Sequence, residues 1–264
     1  MTVLALSTSR LTSAELLKLR KRRGLVVTVT LLTIGITVFY YGLNAILHAS
    51  NPAHHGPAGG IENLGHGLVI MSLFGAIAAG IVGATAGAGD LGAGVFRELV
   101  VTGRSRWALF LSRIPGGLLF LLPFVLVTFL VNAVGSTVFA DWLPAPSLHL
   151  VVESGAWVIL DLTLFFVIGL GLASLIGSRT TSIAALLAFR LVLTPLLLSI
   201  SFLGVIRELV PGAALQRLEP TELGDTVRQG PDVPMSLAAA VAVLLGWIVL
   251  WIAVGGWRTA TRDA

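Results

Sequence analysis

Six long apolar stretches, joined by short polar connections, constrain this chain more than anything else in it. They lie at about 25–47, 67–89, 114–140, 154–177, 183–206 and 235–257, and each reaches the roughly 20 residues that cross a bilayer's hydrocarbon core as a helix. With 56% of its 264 residues hydrophobic, only 11% charged and a mean hydropathy of +0.94, the chain is not a water-soluble domain. The expected fold is an all-α integral membrane protein with six transmembrane helices. The first stretch comes after a basic segment, as in a signal peptide, but its apolar core is too long for one and is read as an uncleaved span. With no cysteine in the chain, disulfides, thiolate metal sites and a cysteine nucleophile are excluded.

A sequence pI of about 10.3 could suggest nucleic acid, yet the charges sort by side of a membrane. Of 17 Lys and Arg, thirteen fall at the N-terminus, in the 90–113 loop, at Arg179 and in the C-terminal tail, three fall in the opposite loops, and Arg190 lies within a span. Counted with the acids, the first side carries +9 and the other −5. The positive-inside bias therefore predicts that both termini are cytoplasmic, and no nucleic-acid partner is implied.

Among the connections, residues 90–113 stand out, GDLGAGVFRELVVTGRSRWALFLSR with Gly89 ahead of them. Val95, Phe96, Leu99 and Val100 fall on one helical face, while Arg97 and Glu98 point elsewhere. Asp90 is placed to cap such a helix and Gly103 to end it. An amphipathic helix of this length, hung between two spans, has no surface of its own to cover that face; a soluble partner with a groove would supply it.

Upstream, residues 12–24 read TSAELLKLRKRRG. Thr12 and Glu15 have capping-box spacing, and Leu11 and Leu16 sit as a hydrophobic staple, predicting a helix that starts at Thr12. Leu16, Leu17 and Leu19 would lie in the interface, with Lys18, Arg20, Lys21, Arg22 and Arg23 reaching lipid headgroups or a protein below.

The second span is rich in small residues. Gly75, Ala79, Gly83 and Gly87 recur every four residues, which lets another helix approach closely; the same stripe could serve as a sliding seam. Gly87, Gly89 and Gly92 match G-x-G-x-x-G, but the element before them is a membrane helix and not a strand, so no dinucleotide site is implied. A Walker loop, G-x-x-x-x-G-K-[ST], is absent from the sequence. His48, His54, His55 and His66 have no spacing that fixes a tetrahedron and are read as exposed loop residues, with no metal site.

Charges inside a bilayer are costly and mark function by default. Asp161 in the fourth span lies about 10 Å from one face and Arg190 in the fifth about 10 Å from the other, at 1.5 Å per residue, so the two are not expected to meet. Both are candidates for lining a polar cavity, Asp161 the better of the two: Arg190 can instead snorkel toward the cytoplasm, and Asp161 can instead hydrogen-bond a neighbouring helix. Trp142 and Trp157 are expected at interfacial depth, and residues 213–218 as a short helix dipping into the outer leaflet between prolines.

Taken together, SAELLKLRKRRG, six spans, the loop GVFRELVVTGRSR and VPGAALQRLEP before the last span resemble the ABC-2 type permeases, the transmembrane subunits of bacterial ABC exporters, over the whole chain. The resemblance implies an elbow helix at the N-terminus, with Glu15, Leu16, Lys18, Leu19 and Arg20 within it. It also implies a coupling helix carrying Val95, Phe96, Arg97, Glu98, Leu99, Thr102, Gly103, Arg104 and Arg106 that sits in a cleft of a separate P-loop ABC ATPase. ATP and Mg would be bound by that partner, with no cofactor held by this chain. A second permease copy or a related permease would complete a dimer in the bacterial cytoplasmic membrane, exporting a drug, antibiotic or lipid-like small molecule. Two other readings compete. A membrane-embedded enzyme acting on lipids would need carboxylates or histidines gathered at one depth, and His54, His55, Glu62 and Asp161 are scattered. A non-transporting immunity or signalling protein could use the same fold.

Overall fold

The computed structural model describes residues 2–92, 94, 105–226, 231 and 233–262. They are almost wholly helical, and no strand occurs among them. A first helix, α1 (Thr2–Arg20), precedes six helices long and apolar enough to cross a membrane: α2 (Arg23–Ser50), α3 (Ile61–Gly92), α4 (Arg106–Val138), α5 (Leu148–Ile176), α6 (Arg179–Ser199) and α8 (Leu237–Thr261). The short α7 (Pro211–Arg217) lies between α6 and α8, flanked by 3₁₀ turns in Ser201–Leu209 and Thr221–Thr226.

Helix α1 begins well before Thr12. The residues from Thr2 to Arg20 contain neither glycine nor proline, so nothing interrupts the helix where the capping box was expected. Thr12 sits mid-helix, and an N-cap requires non-helical backbone there. Likewise α4 starts at Arg106, so Pro115 and Pro123 both lie inside it.

Helices α3 and α5 form the buried centre, and the small-residue stripe is where they meet. A Cβ on Gly83 would stand 2.2 Å from the Phe166 carbonyl oxygen and one on Gly87 2.5 Å from that of Leu170, while Gly75 faces Leu162. Ala79 is fully buried on the same stripe. On the reverse side of this crossing a Cβ on Gly169 would meet the Gly80 carbonyl oxygen at 2.7 Å. A second close crossing joins α5 to α8: a Cβ on Gly255 would lie 2.9 Å from the Gly171 Cα. Between helices surrounded by lipid, close van der Waals approach replaces the hydrophobic drive available in water. Because a carbonyl oxygen cannot swing aside as a side chain can, Gly83→Ala is expected to lower stability by about 1–3 kcal/mol. Gly246→Ala, which meets nothing within 4 Å, should not lower the unfolding midpoint in detergent.

Three spans contain a π-helical turn: Leu31–Gly35 in α2, Met71–Gly75 in α3 and Phe189–Leu193 in α6. Such a turn inserts an extra residue and rotates the remainder of the helix about its axis. π-Bulges are frequent at functional sites, and the turns in α3 and α6 carry Ser72 and Arg190, two polar residues in the middle of their spans.

Candidate functional site

Polar residues gather at two levels of the bundle. The first level is the end where α1, the close of α3, the start of α4 and the C-terminus of α8 meet. Helix α1 packs across α4 at Gly116, whose missing Cβ leaves room for Glu15 and the Thr12 carbonyl. That crossing delivers Lys18 to Asp90: Lys18 Nζ lies 2.8 Å from Asp90 Oδ1 and 2.6 Å from Glu15. Asp90 Oδ2 accepts from Arg113 Nη2 at 2.8 Å, and Arg113 Nη1 donates to the Gly87 carbonyl at 3.1 Å. Arg113 is 2% exposed and Asp90 3%.

Asp90 is thus inside α3 and held by two cations, and it is not the free cap of a helix after it. Arg113, at first sight one more charge of a polar loop, is buried, because α4 extends eight residues beyond the apolar run and carries the guanidinium into the bundle. Arg106 of the coupling set donates to the backbone carbonyls of Ala260 and Arg262, tying the start of α4 to the end of α8. Of the expected elbow residues, Leu19 is fully buried in the main core, Leu16 packs against it and Arg20 is exposed. Val95, Phe96, Arg97, Glu98, Leu99, Thr102, Gly103 and Arg104 lie outside the described residues.

The second level lies within the spans. Contrary to the depth argument, Asp161 and Arg190 do come together: Arg190 Nη2 stands 3.8 Å from Asp161 Oδ2. Ser72 joins them, donating to Asp161 Oδ2 at 2.6 Å and accepting from Arg190 Nη2 at 2.6 Å. They meet because both helices begin further out than hydropathy predicts. Helix α5 starts at Leu148 and α6 runs from Arg179 to Ser199, which puts Asp161 about 20 Å and Arg190 about 16 Å from their neighbouring ends at 1.5 Å per residue. An arginine side chain spans the remainder. Ser72 and Arg190 both sit in π-helical turns, and the guanidinium also lies 4.6 Å above the Phe165 ring.

Next to this cluster is a cavity of about 180 Å³ between α3, α5, α6 and α7, lined in part by Ser72, Trp157, Arg190, Thr194, Gln216 and Glu219. Trp157 is buried in the bundle and does not face lipid headgroups. It is 5% exposed, and its indole donates to the Leu215 carbonyl at 3.0 Å, pinning α7 over the cavity. Since α5 begins at Leu148, Trp157 lies more than two turns inside the helix. Residues of α7 are the ones sequence reasoning missed. The fragment was visible as apolar between prolines, but nothing marked Gln216 as its inward-facing polar residue. For Ser72, by contrast, opposite charges in adjacent spans were a signal that a bridging hydroxyl could be sought nearby.

The histidines do not converge: His48 Nδ1 is 2.7 Å from the His55 carbonyl oxygen, and His54 bonds Asn51. Among the described residues, no three His, Asp or Glu side chains are grouped as a metal site would require.

Six apolar helices around two buried ion-pair networks define a polytopic α-helical membrane protein. A family model described as ABC-2 family transporter protein matches residues 15–264, and the chain belongs to that family. It is accordingly a permease-type component of an ABC transporter, a transport protein rather than an enzyme in itself. No curated protein matches the chain.

Proposed function

We propose that this chain is the membrane subunit of an ATP-driven exporter, powered by a separate P-loop ATPase and paired with a second copy or a related permease in a bacterial cytoplasmic membrane, both termini inside. The observation that carries the reading is the Lys18–Asp90–Arg113 clamp. It locks α1 to the two spans from which residues 93–105 emerge, so a load applied to that segment reaches three helices at once. Phe96, Leu99 and Val100 of this segment dock in the ATPase cleft, contributing roughly 4.5 to 9 kcal/mol gross at 1.5–3 per side chain. Association and ordering costs remove much of this. Arg97 and Arg104 set orientation against acidic groups on the ATPase. ATP binding draws the two ATPase subunits together, the docked segments move with them, and the spans tilt. A small amphiphilic cargo moves because it binds the two states unequally, with α7 acting as the outer gate.

A photo-crosslinker at position 97, introduced in the native host, should capture a P-loop ATPase. Phe96→Ala and Arg97→Glu should cut transport at least tenfold while the amount of inserted chain stays constant. Recovery of no ATP-hydrolysing protein, together with full transport by both variants, would refute the assignment.

A further inference from the structure

The cavity under α7 carries polar groups that the fold itself does not use. Gln216 is 8% exposed, and neither its amide oxygen nor its amide nitrogen has a hydrogen-bond partner among the described residues. Thr194, 7% exposed, has an equally unpartnered hydroxyl. Both line the cavity, on different helices. Arg190 hydrogen-bonds through Nη2, to the Ser72 hydroxyl and carbonyl. Buried polar atoms without partners are uncommon in folded proteins. Here an amide with both ends unspent and a hydroxyl face one space.

From this geometry we infer that the cavity is a cargo subsite for an uncharged group that both donates and accepts hydrogen bonds, a carboxamide, at the head of an otherwise apolar ligand. That the ligand is cargo rests on the proposed transport function; its binding does not. Charge selects against ionic ligands. Arg190 is already matched by Asp161, and Glu219, which also lines the cavity, is engaged in an interaction of its own, so a carboxylate or an ammonium entering at this depth would bring net charge into the bilayer interior, which is costly. A carboxamide brings none, and its C=O and NH₂ complement the NH₂ and C=O of Gln216. Thr194 is placed to serve whichever end remains. Size limits the fit to a headgroup, because a cavity of about 150 Å³ holds a benzene ring and this one measures about 180 Å³. Exposed Leu191 and Pro195 form part of its wall, so the apolar remainder of the ligand can leave along the surface of α6.

The test compares three probes with one tail, tritiated dodecanamide, dodecanoate and dodecylamine, on the full chain in lipid nanodiscs. Saturable binding is expected for the amide, about tenfold tighter than for either ion. Gln216→Leu and Thr194→Val should each weaken it about tenfold, the equivalent of one hydrogen bond to a buried group. Neither variant should unfold more readily than the parent, since each removes a polar atom that the fold leaves unpaired. Any one of three results overturns the site: no saturable amide binding, as when these groups hold only water; tighter binding of the carboxylate or amine; or unchanged amide binding in both variants. Failure of the exporter reading would show separately, as absence of a bound ATPase with amide binding intact.

Discussion

Asp90→Ala is expected to cost the folded protein about 3–5 kcal/mol, the usual consequence of leaving one member of a buried ion pair without its counter-charge. Arg113 is the stranded group: at 2% exposure it cannot reach solvent, and its other hydrogen bond, to the Gly87 carbonyl, does not neutralise it. Replacing both partners by apolar residues of similar volume, Asp90→Leu with Arg113→Met, should recover most of the loss, because matched apolar substitution of a buried pair is often neutral or better. Lys18→Ala should matter far less, within about 1 kcal/mol, since its side chain is partly solvated and already shared with Glu15. Thermal unfolding of the purified variants in detergent gives the ranking, and a single Asp90→Ala variant as stable as the double would show that the clamp carries no stability. If the clamp also transmits load from residues 93–105, the recovered double variant should insert and fold yet transport poorly.

Arg190→Met is the second large effect. It leaves Asp161, which is fully buried, facing only the Ser72 hydroxyl, and one carboxylate oxygen, Oδ1, has no hydrogen-bond partner among the described residues even in the parent protein. A destabilisation of about 3–5 kcal/mol is expected, with Asp161→Asn in the same chain restoring most of it by removing the charge. The reverse single change, Asp161→Asn, should be milder. Arg190 is 17% exposed at its side chain, opens on the cavity and keeps both Ser72 and the Phe165 ring. Equal losses for the two single variants would contradict this asymmetry. If α6 moves against α3 and α5 during transport, the Ser72 bridge is among the contacts that must re-form.

Several features are legible in the sequence itself. Hydropathy alone marked six spans, because a bilayer about 30 Å thick demands a run of fixed length whatever the fold around it. The four-residue repeat of Gly75, Ala79, Gly83 and Gly87 marked a close helix crossing, since small side chains have little other use on a membrane helix. Asp161 and Arg190 stood out because charge in hydrocarbon is rare. Their pairing was not legible, nor were the burial of Arg113, the double clamp on Asp90, the Gly171–Gly255 crossing and the inward aim of Gln216. These depend on where each helix truly ends and on its rotation about its axis. Hydropathy leaves the ends uncertain by several residues, as α4, α5 and α6 show, and a π-helical turn such as Met71–Gly75 shifts the phase of every residue beyond it. What the amino-acid order determined by itself was a set of lengths and local stripes, because a membrane acts on each segment independently. Which residues far apart in the chain would meet was decided only when the helices packed, because contact requires depth and rotation to agree between two elements at once.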